Sequence, residues 1–419
     1  MMSGSAKLEA LGLAPKSQKE PTSTFLPITH EALTMLYSPM VMFSPKIAPL
    51  SISAVGWMLI SPQFSKTFMI AMGFSIERGE TKVSKHFAKV KAVAKYLPEG
   101  TLTNEQLSSE FPDWSVEKIA EKTGIHTRHI VNNEFSSDLA IKAVKELIAL
   151  TQLDIASVDF LIVVTQTPDY LLPGIASIVQ NSVGLSRNTG AMDVNLGCSG
   201  YVYALGVAKG LIETGQARKV IVSTSDTYSK LLNRSDKSVR TIFGDGATAT
   251  LIENDSDVES IRGLTYGTDG SGAGNLIVPK GGIRNGEQEF LKTSETARGL
   301  EAGHFNLFMD GPEIFNFTIA IAEASLDETL KKANLKKEEI DLFVFHQANA
   351  FMLEHLRKKL NLPTEKFPVL MGEWGNTVSG TIPMALSELI LNGKIKSGSK
   401  VLCMGFGVGL SWGATVLTL

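Results

Sequence analysis

The chain repeats one pattern in its two halves, and that repeat constrains the fold more than any other feature. Leu153-Asp-Ile-Ala-Ser-Val-Asp159 followed by the apolar run Phe160-Leu-Ile-Val-Val164 resembles Leu335-Lys-Lys-Glu-Glu-Ile-Asp341 followed by Leu342-Phe-Val-Phe345, with Asp159 and Asp341 182 residues apart. The helix-like Ala208-Lys-Gly-Leu-Ile-Glu-Thr-Gly215 matches Leu386-Ser-Glu-Leu-Ile-Leu-Asn-Gly393 at an offset of 178. Each is followed by a lysine and a strand-like run, Lys219-Val-Ile-Val222 and Lys400-Val-Leu-Cys403. Late in each half a Gly-rich turn precedes a strand, Phe243-Gly-Asp-Gly-Ala247 and Phe406-Gly-Val-Gly-Leu410. Strand patterns alternate with helical ones, such as Leu139 to Leu150 before Phe160-Val164, which points to a layered α/β fold of two similar halves.

The chemistry-bearing residues sit at equivalent points of that repeat. The apolar run Ala191 to Leu196 reads as a buried strand and the segment from Ser199 as a helix, so Cys198 falls at the turn between them. Free backbone N–H groups and the helix dipole favour a thiolate there, and the same groups can hold an oxyanion. A lone cysteine also suits a small buried hydrophobe. His346 ends the strand-like run Ile340-Asp-Leu-Phe-Val-Phe345, where it projects into a site or packs as a satisfied core histidine. Asn376 lies in the Gly-rich turn of Gly372-Glu-Trp-Gly-Asn-Thr-Val-Ser-Gly-Thr-Ile-Pro-Met-Ala-Leu386, where a helix cap is the plain alternative. Cys198 and Asn376 are 178 residues apart, so they occupy matching strand-to-helix turns that a pseudo-twofold axis would bring together.

Composition narrows the class. With 419 residues and 43% apolar content the chain can bury a large core, and a net charge of −3 gives no reason to expect a nucleic-acid partner. The two cysteines are not in a metal-type spacing, which argues against zinc or disulfides, and they suit a reducing cytoplasm. Cys403 lies in an apolar run and reads as core.

From about Phe87 to Leu419 the chain resembles the β-ketoacyl-acyl carrier protein synthase III family of thiolase-fold condensing enzymes. The resemblance rests on Tyr96-Leu-Pro98, Thr123-Gly-Ile-His-Thr-Arg-His-Ile130, Thr167-Pro-Asp-Tyr170, the Cys198 block, Phe243-Gly-Asp-Gly-Ala247, His346-Gln-Ala-Asn349, Gly375-Asn376-Thr377 and Gly405-Phe-Gly-Val-Gly409, in the family's order. It implies a layered αβαβα fold, with one half over 87–255 carrying Cys198 and the other over 256–419 carrying His346 and Asn376. It also implies a homodimer without a permanently bound cofactor. The implied reaction starts with transfer of an acyl group from acyl-coenzyme A to Cys198. A malonyl thioester of acyl carrier protein is then decarboxylated. His346 and Asn376 stabilise the resulting enolate, which attacks the acyl-cysteine and gives a 3-oxoacyl thioester for fatty acid or related polyketide synthesis. Backbone N–H groups of Cys198 and Val408 are implied as the oxyanion hole, Val408 standing where the family commonly has Gly. Cys–His–Asn separates this branch from degradative thiolases, which use a second Cys, and from elongating synthases, which use two His.

Other implied positions follow the same resemblance. Trp114 stands for the tryptophan that stacks on the coenzyme A adenine, four residues further from the Thr-Gly-Ile motif than in the family, and Lys122 replaces an Arg of some members. Asn349 and Phe315 match residues of the tunnel for the pantetheine arm. Leu172 matches a residue that reaches across the dimer to bound the partner's acyl pocket, and its small size suits a longer or branched acyl chain. Phe351 takes the place of an Arg that docks acidic carrier protein, with Arg357-Lys-Lys359 close by. An insertion is expected around Asn285 to Ala302. An acyltransferase of the same fold, passing the acyl group to a hydroxyl or amine, is the alternative activity. A papain-like hydrolase lacks its Cys-Gly-Ser-Cys-Trp-type signature here.

Residues 1–86 fit none of this. The first 75 hold eight of the fourteen methionines and three acidic residues. Ile47 to Ile60 is apolar but too short to span a bilayer, and Lys66 interrupts its continuation, so no membrane partner is expected. A start at or near Met72, or a transit peptide, are the two readings of this segment.

Overall fold

Short aliphatic runs make the strands; most are buried along their whole length, because alternate residues pack into layers on both faces of the sheet. The computed structural model describes residues 86–255, 257, 259–283 and 305–419. The leader or start near Met72 and the loop around Asn285 to Ala302 therefore lie outside the described residues.

In the first half, β1 (Phe87–Tyr96) leads to the two-strand ladder of β2 (Thr101–Thr103) and β3 (Thr127–His129). Helices α1 (Asn104–Glu110) and α2 (Val116–Thr123) lie between β2 and β3. Helix α3 (Ser136–Thr151), β4 (Phe160–Val164), α4 (Ile175–Ser182), β5 (Gly190–Val194) and α5 (Gly200–Glu213) follow, then β6 (Lys219–Asp226), the one-turn α6 (Lys237–Arg240) and β7 (Gly246–Asp255). The second half begins with β8 (Ile261–Thr268) and the small pair β9 (Leu276–Ile277) and β10 (Phe308–Met309). It continues through α7 (Gly311–Ala333), β11 (Leu342–Phe345), α8 (Ala350–Lys359), α9 (Thr381–Leu391), β12 (Lys400–Gly407) and β13 (Ser411–Thr418).

The repeat seen in the sequence is a repeat of topology. One sheet has the order β1-β7-β6-β4-β5 and the other β8-β13-β12-β11, read in the same direction. In both, the third and fourth strands are parallel and the remaining shared neighbours antiparallel. The repeated aspartate explains part of the sequence match. Asp159 accepts hydrogen bonds from the backbone of Arg218 and Lys219 at 2.7 and 3.0 Å, and Asp341 accepts one from Lys400 at 2.8 Å. Each carboxylate thus closes the start of one parallel strand pair.

Alternation along the strands builds five layers. Ile162, Val164, Val220 and Val222 pack with Leu342, Val344, Val401 and Cys403 around α5 and α9, which form the middle layer between the sheets. The opposite faces bury Leu161, Val163 and Ile221 under α3 and α4, and Phe343, Phe345, Leu402 and Met404 under α7 and α8. This is the αβαβα arrangement. Cys403 is fully buried in the central layer, as its apolar run indicates.

Two local expectations need correction. The strand before Cys198 stops at Val194 rather than Leu196, and it is partly exposed rather than buried. Among the described residues it pairs only with β4, and an edge strand has one neighbour fewer to cover it.

Candidate active site

Cys198 stands in the turn between β5 and α5, 6% exposed. The β12–β13 hairpin of the second half presses onto it. A Cβ on Gly405 would come within 2.2 Å of the Cys198 carbonyl oxygen, and one on Gly407 within 3.0 Å of Sγ. Only glycine permits that approach. Ser199 Oγ and Ser411 Oγ lie 2.7 Å apart, and Ser411 Oγ also donates to the Val408 carbonyl at 2.7 Å. These bonds hold the Val408 peptide beside the Cys198 turn.

His346 directly follows β11, and its backbone N–H continues the ladder to Met404. Its Nδ1 lies 2.6 Å from Thr381 Oγ1 at the start of α9, which leaves Nε2 as the free ring nitrogen. Burial lowers its pKa from 6.5 to about 3, so the imidazole is neutral at physiological pH. Asn376 is pinned on both sides. Its backbone bridges Ile242 and Gly244, and its Oδ1 accepts from the Val378 N–H at 2.9 Å. Because Oδ1 is occupied by a donor, the amide orientation is fixed, and Nδ2 points toward the Ala348 carbonyl at 3.4 Å with one N–H to spare.

Burial pushes the Cys198 thiol up to about 12, with the nearby Asp226 carboxylate adding to the rise. That differs from the thiolate expected at a helix N-terminus. Removal from water outweighs the dipole when the sulfur is this enclosed and no cation is beside it.

One cavity of ≈ 360 Å³ connects these residues to the surface. Cys198, His346 and Asn376 line it, as do Trp114, Lys122, Asn349 and Phe351 among the other candidates. Asn349 caps α8 through Oδ1, which accepts from Met352 N–H at 2.8 Å and leaves its Nδ2 unused by that cap. Phe315 does not line the wall. It stacks 5.7 Å from Phe351 and 5.4 Å from His355, while Ile314 and Thr318, one helical turn apart, face the cavity instead. The 100° step per residue on α7 puts Phe315 to the side. Leu172 is 84% exposed and lies away from the cavity of its own chain. Phe351 is 56% exposed, and Arg357 and Lys358 of the neighbouring basic run both pair with Glu354.

Sequence reading named Lys122 but missed other residues at the site. The Trp114 ring has Lys118, Lys122 and Lys237 at 5.6, 5.6 and 5.5 Å from its centroid. Lys118 was detectable from helical spacing, whereas Lys237 arrives from a distant turn. Around Cys198, Tyr228, Phe243, Leu276 and Val378 form an apolar chamber that follows no local motif.

A buried cysteine, a neutral histidine and an oriented amide line one apolar cavity, in a fold of the layered thiolase-like class. The comparisons agree. Residues 192–270 match the family model "3-Oxoacyl-[acyl-carrier-protein (ACP)] synthase III" and residues 330–419 its C-terminal model. The chain is 38% identical over 335 residues to the Beta-ketoacyl-[acyl-carrier-protein] synthase III of Lactococcus lactis subsp. lactis, covering 80% of this chain and 99% of the relative. Among solved structures, a 3-oxoacyl-(acyl-carrier-protein) synthase III matches with a TM-score of 0.75 and 45% identity, over 80% of this chain and all of the other. A synthase from Burkholderia xenovorans LB400 matches with a TM-score of 0.75 and 36% identity, over 80% and 94%. The chain belongs to the β-ketoacyl-acyl carrier protein synthase III family.

Proposed function

We propose that the protein catalyses a decarboxylating Claisen condensation of an acyl-coenzyme A starter with malonyl-acyl carrier protein through an acyl-Cys198 intermediate. The observation that carries this reading is the convergence of Cys198, neutral His346 and the spare N–H of Asn376 on one apolar cavity.

In the first step Cys198 Sγ attacks the thioester carbonyl, the carbon–sulfur bond to coenzyme A breaks, and the thiol proton ends on the departing sulfur. Backbone N–H groups of Cys198 and Val408 hold the oxyanion. In the second step the malonyl carbon–carbon bond breaks, carbon dioxide leaves, and the electron pair forms an enolate. His346 Nε2–H and Asn376 Nδ2–H donate to its oxygen, in an apolar space where such bonds are stronger than in water. This role requires the tautomer with its proton on Nε2, in which Thr381 Oγ–H donates to Nδ1 across their 2.6 Å contact. The enolate carbon then attacks the acyl-cysteine, and Cys198 leaves as the thiolate and is reprotonated.

The rim suits the rest of the substrate. Trp114 offers a stacking face for adenine, and Lys118, Lys122 and Lys237 offer charge for phosphates. Asn349 Nδ2, which the helix cap leaves unused, would donate to an amide carbonyl of the pantetheine arm. The open edge of β5 and the exposed Tyr170, Leu171 and Leu172 support a homodimer in which Leu172 enters the partner's site. Phe351 makes the carrier-protein docking surface more apolar than an Arg would.

Intact mass spectrometry with a panel of acyl-coenzyme A thioesters, followed by malonyl-carrier protein, tests the reaction. An acyl adduct discharged as a 3-oxoacyl product with carbon dioxide release is the expected result. An adduct that malonyl thioester leaves untouched would replace condensation with simple acyl transfer to a hydroxyl or amine.

A further inference from the structure

Beneath the two reactive turns lies a carboxylate that the mechanism does not use. Asp226 ends β6, is fully buried, and all of its hydrogen-bond partners are uncharged. One oxygen accepts from Gln166 N–H at 2.8 Å and Thr165 Oγ1 at 3.4 Å. The other accepts from Ser379 N–H at 3.2 Å and from Ser379 Oγ. The first pair belongs to the end of β4 in the first half, and the second to the Asn376 turn of the other half.

Each arm reaches a reactive residue. Val378, between Asn376 and Ser379, has φ of 57°, a left-handed conformation that strains a β-branched residue. That conformation aims the Val378 N–H at Asn376 Oδ1 and so orients the amide. Such strain persists only where neighbours over-determine it, and the two Ser379 bonds to Asp226 begin at the very next residue. On the other arm, the Gln166 side chain accepts from Tyr228 Oη at 2.6 Å and abuts Gly197, where a Cβ would meet its Oε1 at 2.3 Å. Gly197 directly precedes Cys198.

We propose that Asp226 is a positioning residue for condensation, whose carboxylate locks the Asn376 turn against the Cys198 turn and places a negative charge under the nucleophile. This rests on the proposed reaction for its activity readout. The carboxylate disfavours ionisation of two neighbouring titratable groups, Cys198 and Tyr228. Burial raises its own pKa from 3.8 to about 7 against the opposing hydrogen bonds. Between those values the folded state holds a proton that the unfolded state has lost, so stability falls as pH rises toward 7. A buried carboxyl held at that cost beside the site, and ionised above about pH 7, fits a role there. The lock also opposes early thiolate formation: Cys198 stays a thiol until a thioester is in place.

The test compares wild type, Asp226→Asn and Ser379→Ala in two assays. One is alkylation of Cys198 by iodoacetamide from pH 7 to 9, followed by intact mass with Cys198→Ala as the blank. The other is carbon dioxide release from a malonyl thioester. Asn in place of Asp226 turns an NH₂ toward one of the two facing pairs of donors and removes the charge. Alkylation at each pH is expected to quicken about tenfold, the effect of a one-unit fall in thiol pKa, and carbon dioxide release to slow about tenfold or more. Ser379→Ala leaves the charge in place, so it is expected to slow carbon dioxide release without quickening alkylation. Wild-type alkylation rates in Asp226→Asn, or wild-type carbon dioxide release in both variants, would overturn the proposal. Should Asp226→Asn not fold, Ser379→Ala decides alone. Absence of carbon dioxide release from wild type would instead refute the proposed reaction, with the alkylation profile still judging Asp226.

Discussion

The Cys198 turn and the Asn376 turn occupy the same place in two copies of one topology, yet they are held in opposite ways. Cys198 hangs from its own sheet, where β5 continues into the turn through backbone bonds at Val194. Asn376 has no such strand before it, because the second sheet ends at β11. Its backbone bridges Ile242 and Gly244 of the first half instead, and Asp226 of the first half holds the Ser379 that follows. In return, Gly405 and Gly407 of the second half close over Cys198. Each turn is completed by the other half. The difference teaches that duplication supplied two equivalent positions, and that burial and cross-half contacts gave them the different surroundings on which the proposed roles of nucleophile and donor rest.

The largest expected effect separates those two roles. Cys198→Ala should remove the acyl adduct and lower condensation at least about 10³-fold, while leaving carbon dioxide release from malonyl thioester within about tenfold of wild type. Loss of both steps together would mean that the turns do not act separately. Asn376→Ala is the complementary change: carbon dioxide release is expected to fall about 10²-fold or more, with acyl loading of Cys198 preserved in intact mass. Gly407→Ala tests the cross-half contact itself. Its Cβ would lie 3.0 Å from Sγ, so acyl loading should slow about 10²-fold although no reacting group is altered.

Two smaller effects sharpen the contrast. The His346 imidazole titrates near 6.5 when unfolded and about 3 when folded, so the unfolded state binds the extra proton below pH 6.5. Stability present above pH 6.5 should therefore decline toward pH 3, and His346→Gln should flatten that decline in urea unfolding at pH 7 and 5. An unchanged slope would mean that His346 is not the buried neutral group described. Val378→Gly should relieve strain of about 1–3 kcal/mol, but it removes a fully buried side chain worth about 1.5–3 kcal/mol and adds about 0.5–1 kcal/mol of chain entropy. Thermal unfolding should therefore stay level or fall by a few degrees while carbon dioxide release falls a few-fold. A folded variant with wild-type carbon dioxide release would show that Val378 does not orient Asn376.

Much of this was legible in the chain. The repeat gave two halves, and Asp159 and Asp341 prove to close equivalent strand pairs. Cys198 and His346 were readable because each follows a strand, a position marked by a change of hydrophobic period, and Asn376 through the 178-residue offset that matches its Gly-rich turn to the Cys198 turn, although no strand directly precedes it. Phe315 was misplaced because a motif match carries no helical phase. Lys237, Thr381 and Asp226 went unseen because their partners lie in distant segments: Trp114, His346 and Ser379.

The sequence by itself determined the strands, the helices, the duplication and the residue types at the two turns, since these follow from local pattern and spacing. Only the tertiary structure decided which nitrogen of His346 is free and which way the Asn376 amide faces. It also decided that Cys198 rests as a thiol above a buried carboxylate. Those properties come from desolvation and from hydrogen bonds across the two halves, and neither exists until the halves are packed together.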